Sequence, residues 1–387
     1  MIGRLLAARA LRAFGDGFVA VVLPAYLLAL GMGTLEVGFL STATLFGSAL
    51  ATLAVGRWGH RFSIRRLLLA ASLVMAATGL AFAGLSSLWP LLVVAFFSTL
   101  NPSGGDTSVF LPLDHTVIAA NTDGHARTTT FARYSFAGSV FGALGALAAA
   151  VPEWLEAAGW TLLGGLRIMF VAYALIGVAA WLLYLRLPEV KKDSAGAVAL
   201  GPSRGIVLKL AGLFSVDSFA GGLVVNSLLA LWLFERFGMS LAAAGAFFFW
   251  TGLFSAVSQL AAPLVARRIG LVNTMVFTHI PANLFLIAAA FAPTLDLAIG
   301  LLLARAALSQ MDVPARSAFV MAVVTPAERP AAASFTAVPR SLASAAGPTL
   351  AGAMFAAGAM AAPLVLCGVL KTAYDLALYA SCRKTGL

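Results

Sequence analysis

Charge is scarce in this chain. Of 387 residues, 10% are Asp, Glu, Lys or Arg and 61% are hydrophobic. A water-soluble domain carries about 25% charged residues. A chain this apolar cannot cover itself with polar surface, so its main solvent is lipid. Cysteine is nearly absent: Cys367 and Cys382 stand alone, both in the last apolar stretch. That excludes a disulfide framework and a cysteine zinc site, and leaves two small buried thiols. No cofactor motif and no metal-ligand spacing is present. Polar stretches long enough for a soluble domain are lacking. So is a cleavable signal peptide, because Met1 to Leu6 leads into an apolar run too long for one. The net charge of +10 is scattered through short segments rather than gathered in a stripe, which argues against nucleic acid as a partner.

What the sequence does have is a succession of apolar runs of spanning length. They fall near residues 5–30, 35–56, 66–86, 88–120, 126–151 and 161–187, then 206–234, 240–264, 272–293, 296–323, 330–358 and 361–382. Roughly 20 apolar residues cross a bilayer as a helix, so the expected fold is all-α and polytopic, with twelve transmembrane helices. One polar linker, 188–205, separates two halves, 1–187 and 206–387. Lys and Arg sort by side: seventeen lie in the termini and even-numbered loops, and only Arg236 in the odd ones. That asymmetry places both termini and the linker in the cytoplasm.

The halves repeat. Gly31-Met32 matches Gly238-Met239, Gly38 matches Gly245, Arg61 matches Arg268, Arg133 matches Arg340 and Gly145 matches Gly352, all at an offset of 207. Earlier in the chain, Asp16 lies opposite Asp217. Parallel halves of six spans are one of the transporter architectures.

On these residues the chain resembles the major facilitator superfamily. The family's loop after span two typically reads G-x-L-x-D-R-x-G-R-[RK]. Here it reads Gly56-Arg57-Trp58-Gly59-His60-Arg61-Phe62-Ser63-Ile64-Arg65-Arg66, with His60 in place of the acidic residue and Ser63 in place of the second glycine. Arg267-Arg268-Ile269-Gly270 is the second-half copy. Asp312 to Arg316, followed by Thr325-Pro326-Ala327-Glu328-Arg329, resembles the tenth span and its loop. Gly347-Pro348 is similar to an element that drug antiporters carry in span five. The resemblance implies two pseudo-symmetric six-helix bundles and a monomeric secondary transporter. It would move a small-molecule substrate across a bacterial inner membrane by alternating access, as proton-coupled export by antiport, with no cofactor. Proton- or cation-coupled uptake, metal cations included, is the alternative.

A charge in hydrocarbon costs about 3 kcal/mol on insertion scales, so each one invites a role. Asp16 and Asp217, near the middle of spans one and seven, are the proton-coupling candidates. Arg12, one turn before Asp16, offers it a structural partner instead. Asn101-Pro102-Ser103-Gly104-Gly105-Asp106 interrupts span four and should break its helix. Asp106 is then either a substrate contact or a cap on the resumed helix. Asp114, Arg305, Gln310 and Asp312 complete the substrate-binding candidates with Arg12. His115, Arg133, Arg316 and Arg340 are gate candidates, since Asp114 and Arg316 carry opposite charges at related places of the two halves. Asp312 with Arg316, and Lys371 with Asp375, are spaced for pairs along one helix. The Lys371 pair lies in span twelve, which is peripheral in the family, and reads as structural.

The residues bear on two rival classes. An intramembrane enzyme finds little support. There is no H-E-x-x-H, and Ser103-Gly104-Gly105-Asp106 only approaches the G-x-G-D of aspartyl membrane proteases, with Tyr374-Asp375 in the wrong order. A non-transporting receptor or channel fits the repeat with mid-membrane carboxylates less well than alternating access does.

Overall fold

The computed structural model describes residues 1–103, 108–122, 124–189, 200–325 and 328–382. Helix is the only regular structure among them. In lipid every backbone donor and acceptor must be satisfied within the segment, and a helix does this for each long apolar run. The helices are α1 (Ile2–Ala29), α2 (Thr34–Trp58), α3 (Ile64–Gly84), α4 (Leu88–Phe97), α5 (Phe110–Asn121), α6 (Gly124–Leu147), α7 (Val151–Ala157) and α8 (Leu162–Leu185). There follow α9 (Arg204–Gly222), α10 (Asn226–Phe237), α11 (Leu241–Ile269), α12 (Leu271–Ala290), α13 (Leu295–Ser309), α14 (Asp312–Val323), α15 (Arg329–Ala356) and α16 (Ala362–Cys382).

Among the described residues, ten segments are long and apolar enough to cross a bilayer. Span four falls outside that count because it is broken into α4 and α5, of 10 and 12 residues. The break lies where Pro102 and its neighbours put it; residues 104–107 are outside the described set. Span eleven, α15, is 28 residues long, about 42 Å of helix. It misses the hydropathy level because Arg340 and several Ser and Thr dilute it. Two further breaks were not expected. Span seven divides into α9 and α10 after Gly221-Gly222, and span ten into α13 and α14 at Gln310-Met311. Spans four and ten are thus broken at corresponding places of the repeat.

Two compact units are present. The first comprises Met1–Ser194 with Val225–Phe249, and the second Ala195–Val224 with Trp250–Leu387. The halves 1–187 and 206–387 follow the chain; the compact units do not. Val225–Phe249 belongs with the first unit because the Glu153 carboxylate accepts from the Leu241 and Ala242 amides at 2.5 and 3.0 Å, capping α11. The Ser227 amide also donates to the Pro102 carbonyl at 3.0 Å, inside the span-four break.

Glycine sets the same close packing in each unit. A side chain on Gly17 of α1 would collide with the Gly142 carbonyl of α6, and one on Gly222 of α9 with the Ser344 carbonyl of α15. Gly347 of α15 in turn abuts the Gly222 backbone. Small residues let backbones approach where no hydrophobic drive exists between helices. The matched Gly31 and Gly238 follow α1 and α10 with φ of 80° and 61°, a backbone that a side chain would strain.

Each unit has its own apolar core. Leu5, Leu68, Phe110, Ile118 and Tyr184 anchor the first, and Val207, Phe214, Met275, Phe319 and Leu378 the second. Cys367 and Cys382 are buried and in no disulfide. Outward, Leu80, Trp89, Phe97, Leu260 and Leu264 stand exposed, a surface suited to hydrocarbon rather than water.

Candidate functional site

In the first unit the polar centre is a buried ion pair between spans one and four. Arg12 Nη2 of α1 donates to Asp114 Oδ2 of α5 at 2.5 Å. The same carboxylate accepts from the Tyr134 hydroxyl of α6 at 2.9 Å and the Tyr184 hydroxyl of α8 at 3.2 Å. The Arg12 guanidinium also lies over the Phe110 ring, 4.0 Å from its centroid. Asp114 is completely buried, and only a carboxylate so heavily bonded is tolerable there. Arg12, one turn before Asp16 on α1, thus reaches across to α5, where Asp114 brings two tyrosine donors with it. Asp16 is half-buried on α1, within electrostatic range of the buried Tyr173 hydroxyl of α8. His115 packs edge-on against Phe131 and Tyr134, with ring centroids 4.9 and 5.4 Å away. Arg133 is exposed on α6. Asp106 lies outside the described residues.

The second unit has a larger charged centre. Asp217 Oδ1 accepts from Lys371 Nζ of α16 at 2.5 Å, and its Oδ2 from Arg316 Nη1 of α14 at 3.2 Å. Arg316 Nη1 also meets Asp312 at 3.1 Å, the expected pair along α14. Arg340 Nε of α15 donates to the Ser218 hydroxyl at 3.1 Å. Arg305 of α13 lies within electrostatic range of Asp217. Gln310 sits at the break between α13 and α14. The expected Lys371–Asp375 pair is not formed. Lys371 reaches Asp217, while Asp375 contacts His279 Nδ1 at 2.9 Å and accepts from Asn283 Nδ2 at 3.0 Å, both from α12.

Lys371, His279 and Asn283 were not among the sequence candidates. The last two share one face of an apolar span at i,i+4, which is a legible signal. Lys371 stands out as a charge in span twelve, but its partner, 154 residues away, has no local signal. Asp114 and Arg316, the oppositely charged gate candidates, each have partners inside their own unit.

At the head of α9 lies a third polar assembly. Glu328 accepts from the Gly201 amide, from the Ser203 amide at 3.3 Å and from the Thr325 hydroxyl at 2.7 Å. Ser203 Oγ accepts from the Thr325 amide at 3.2 Å. The Ser203, Gly201 and Thr325 hydrogen bonds hold the Glu328 carboxyl down at about 2, below its ordinary 4.5. Pro326 and Ala327 of that loop are outside the described residues, as are linker residues 190–199. In the loop before α3, Ser63 accepts from the Arg66 amide at 3.4 Å, so the residue that replaces the family's glycine caps a helix. Among the described residues, no three His, Cys, Asp or Glu gather where they could hold a metal ion.

This chain is similar to known proteins. The uncharacterized membrane protein YJR124C of Saccharomyces cerevisiae is 24% identical over 380 residues, covering 88% of this chain and 85% of that protein. A crystal structure of a mutant nucleoside transporter NupG superposes with a TM-score of 0.76 at 15% identity, covering 98% of this chain and 99% of that one. A D-xylose-proton symporter structure does so with a TM-score of 0.76 at 16% identity, covering 98% and 97%. The family model described as Major Facilitator Superfamily matches residues 5–311. With its all-helical fold and its multi-pass apolar spans, this chain belongs to the Major Facilitator Superfamily.

Proposed function

We propose that the protein is a proton-coupled secondary transporter of a small solute, working by alternating access of its two six-span halves. Family membership supports transport rather than catalysis. The observation that carries the coupling is the Asp217 centre: one buried carboxylate shared by Lys371 and Arg316. Protonating Asp217 removes the charge that holds both cations, so proton binding and the intact cluster exclude each other. That is the switch a coupled carrier requires, because a ligand moves an equilibrium only by binding its states unequally. Asp16 occupies the matching place on α1 and is the second coupling candidate. Arg12 and Asp114, joined to Tyr134 and Tyr184, hold spans one, four, five and six together and act as a positioning pair.

Export by antiport is supported by the likeness of Gly347-Pro348 to the antiporter element. Uptake with a proton is the second reading. It is favoured by the likeness in fold to a D-xylose-proton symporter. The charge asymmetry of the loops supports a cytoplasmic-membrane protein with both termini inside, acting as a monomer. Purified protein in proteoliposomes tests the reading. A solute identified by ligand stabilisation should move faster under a pH gradient, with the direction of acceleration separating antiport from symport. Asp217→Asn should abolish the gradient dependence. Normal transport with unchanged pH dependence in both Asp16→Asn and Asp217→Asn would overturn it.

A further inference from the structure

The charges of the second unit do not balance. Around Asp217 stand Arg305, Arg316, Arg340 and Lys371, from α13, α14, α15 and α16. Against these four cations the immediate cluster offers Asp217 and Asp312. Counting Asp375, which His279 and Asn283 engage one turn along α16 from Lys371, still leaves one cation in excess. Two of the cations are the unanswered ones. Arg305 has no hydrogen bond or ion pair among the described residues, and its Nε is buried without a partner. Among the described residues Arg340 donates only to the neutral Ser218 hydroxyl. The Tyr374 hydroxyl is buried beside the Arg316 guanidinium. An unpaired cation within a membrane span is unfavourable, and such residues face their partners or a substrate path. A guanidinium presents a planar fork of donors that matches a carboxylate or phosphate.

We infer that Arg305 and Arg340 form the binding site for an anionic oxygen group, carboxylate or phosphate, of the transported solute. The inference deepens the transport reading and rests on it. The solute supplies the missing negative charge, the Tyr374 and Ser218 hydroxyls add neutral hydrogen bonds, and Asp217 keeps Lys371 and Arg316 occupied. A cationic solute or a metal ion has no place among these groups. When Asp217 is protonated, two more cations are released toward the anion, so proton and anion bind cooperatively.

The test is direct binding to the detergent-purified full chain, with inorganic phosphate and succinate as probes and choline as the cationic control. Ionic strength is matched with sodium chloride, because phosphate stabilises folded proteins generically. Succinate or phosphate should raise the unfolding temperature saturably, and choline should not. Arg305→Gln and Arg340→Gln should each weaken that binding at least tenfold, and Lys209→Gln, on the exposed face of α9, should leave it unchanged. If Arg305→Gln does not fold, Arg305→Lys keeps the charge, loses the fork and should bind several-fold more weakly. No saturable response to either anion, or equal binding in the arginine variants, overturns the site. So does a response confined to nanodiscs containing phosphatidylglycerol, which assigns the arginines to a lipid headgroup. Binding is read without flux: a chain that transports but binds no anion sinks the site alone, and one that binds anions but transports nothing sinks the transport reading alone.

Discussion

Lys371 Nζ and Asp217 Oδ1 meet at 2.5 Å across 154 residues of sequence, joining spans seven and twelve in the interior of the second unit. Burying a charge is tolerated when it is paired, and removing one partner of such a pair costs roughly 3–5 kcal/mol. Lys371→Met should therefore destabilise the protein on that order, read as a fall in unfolding temperature in detergent. Lys371→Met with Asp217→Asn removes both charges and should recover part of the loss. Equal destabilisation by the single and double variants would show that the pair does not couple.

Asp114 makes a second case, because its bonds are of unequal kind. Asp114→Ala leaves Arg12 buried without this carboxylate and should cost roughly 3–5 kcal/mol. Tyr184→Phe deletes one hydroxyl bond of 3.2 Å and should cost only about 1 kcal/mol. Thermal unfolding of both variants orders the two effects. A tyrosine deletion as severe as the aspartate one would mean that the ion pair contributes little.

The close approach of α9 and α15 predicts steric sensitivity. Gly222→Val places branched carbon against the Ser344 carbonyl and should cost about 1–3 kcal/mol, as overpacking does. Gly212 lies on the same helix with open space around its position, so Gly212→Ala should be neutral or slightly stabilising. The pair of unfolding temperatures checks the contact.

Much of the fold was legible because lipid enforces it. Apolar runs, the sorting of basic residues and the offset of 207 between halves follow from solvent and repeat rather than from detailed packing. The break of span four was visible in Pro102 and its glycines. Those of spans seven and ten were not, because Gly221-Gly222 and Gln310-Met311 interrupt hydropathy too little. At the site, local spacing found the Asp312–Arg316 pair, missed the reach of Arg12 to Asp114 and misled for Lys371 with Asp375. Helical spacing says which side chains share a face; it does not say what that face meets. Arg12 turns to Asp114 and Lys371 to Asp217 because other helices bring better-placed partners, which no single-helix pattern encodes.

Glu328 provides a pH-dependent test outside the membrane spans. Its carboxylate is stabilised by donors from Ser203, Gly201 and Thr325, which lower its folded value to about 2 from an ordinary 4.5. A group with a depressed folded pKa adds stability above its unfolded pKa and loses it as pH falls toward the folded one. The contribution should thus be complete above about pH 5 and vanish progressively between 4.5 and 2. Glu328→Gln keeps an acceptor oxygen but has no charge to lose. The gap in unfolding temperature between wild type and Glu328→Gln should be constant from pH 8 to about 5, then narrow on acidification. A gap that stays constant down to pH 3, or widens there, would show that the ionised carboxylate does not hold the head of α9 to the loop before α15.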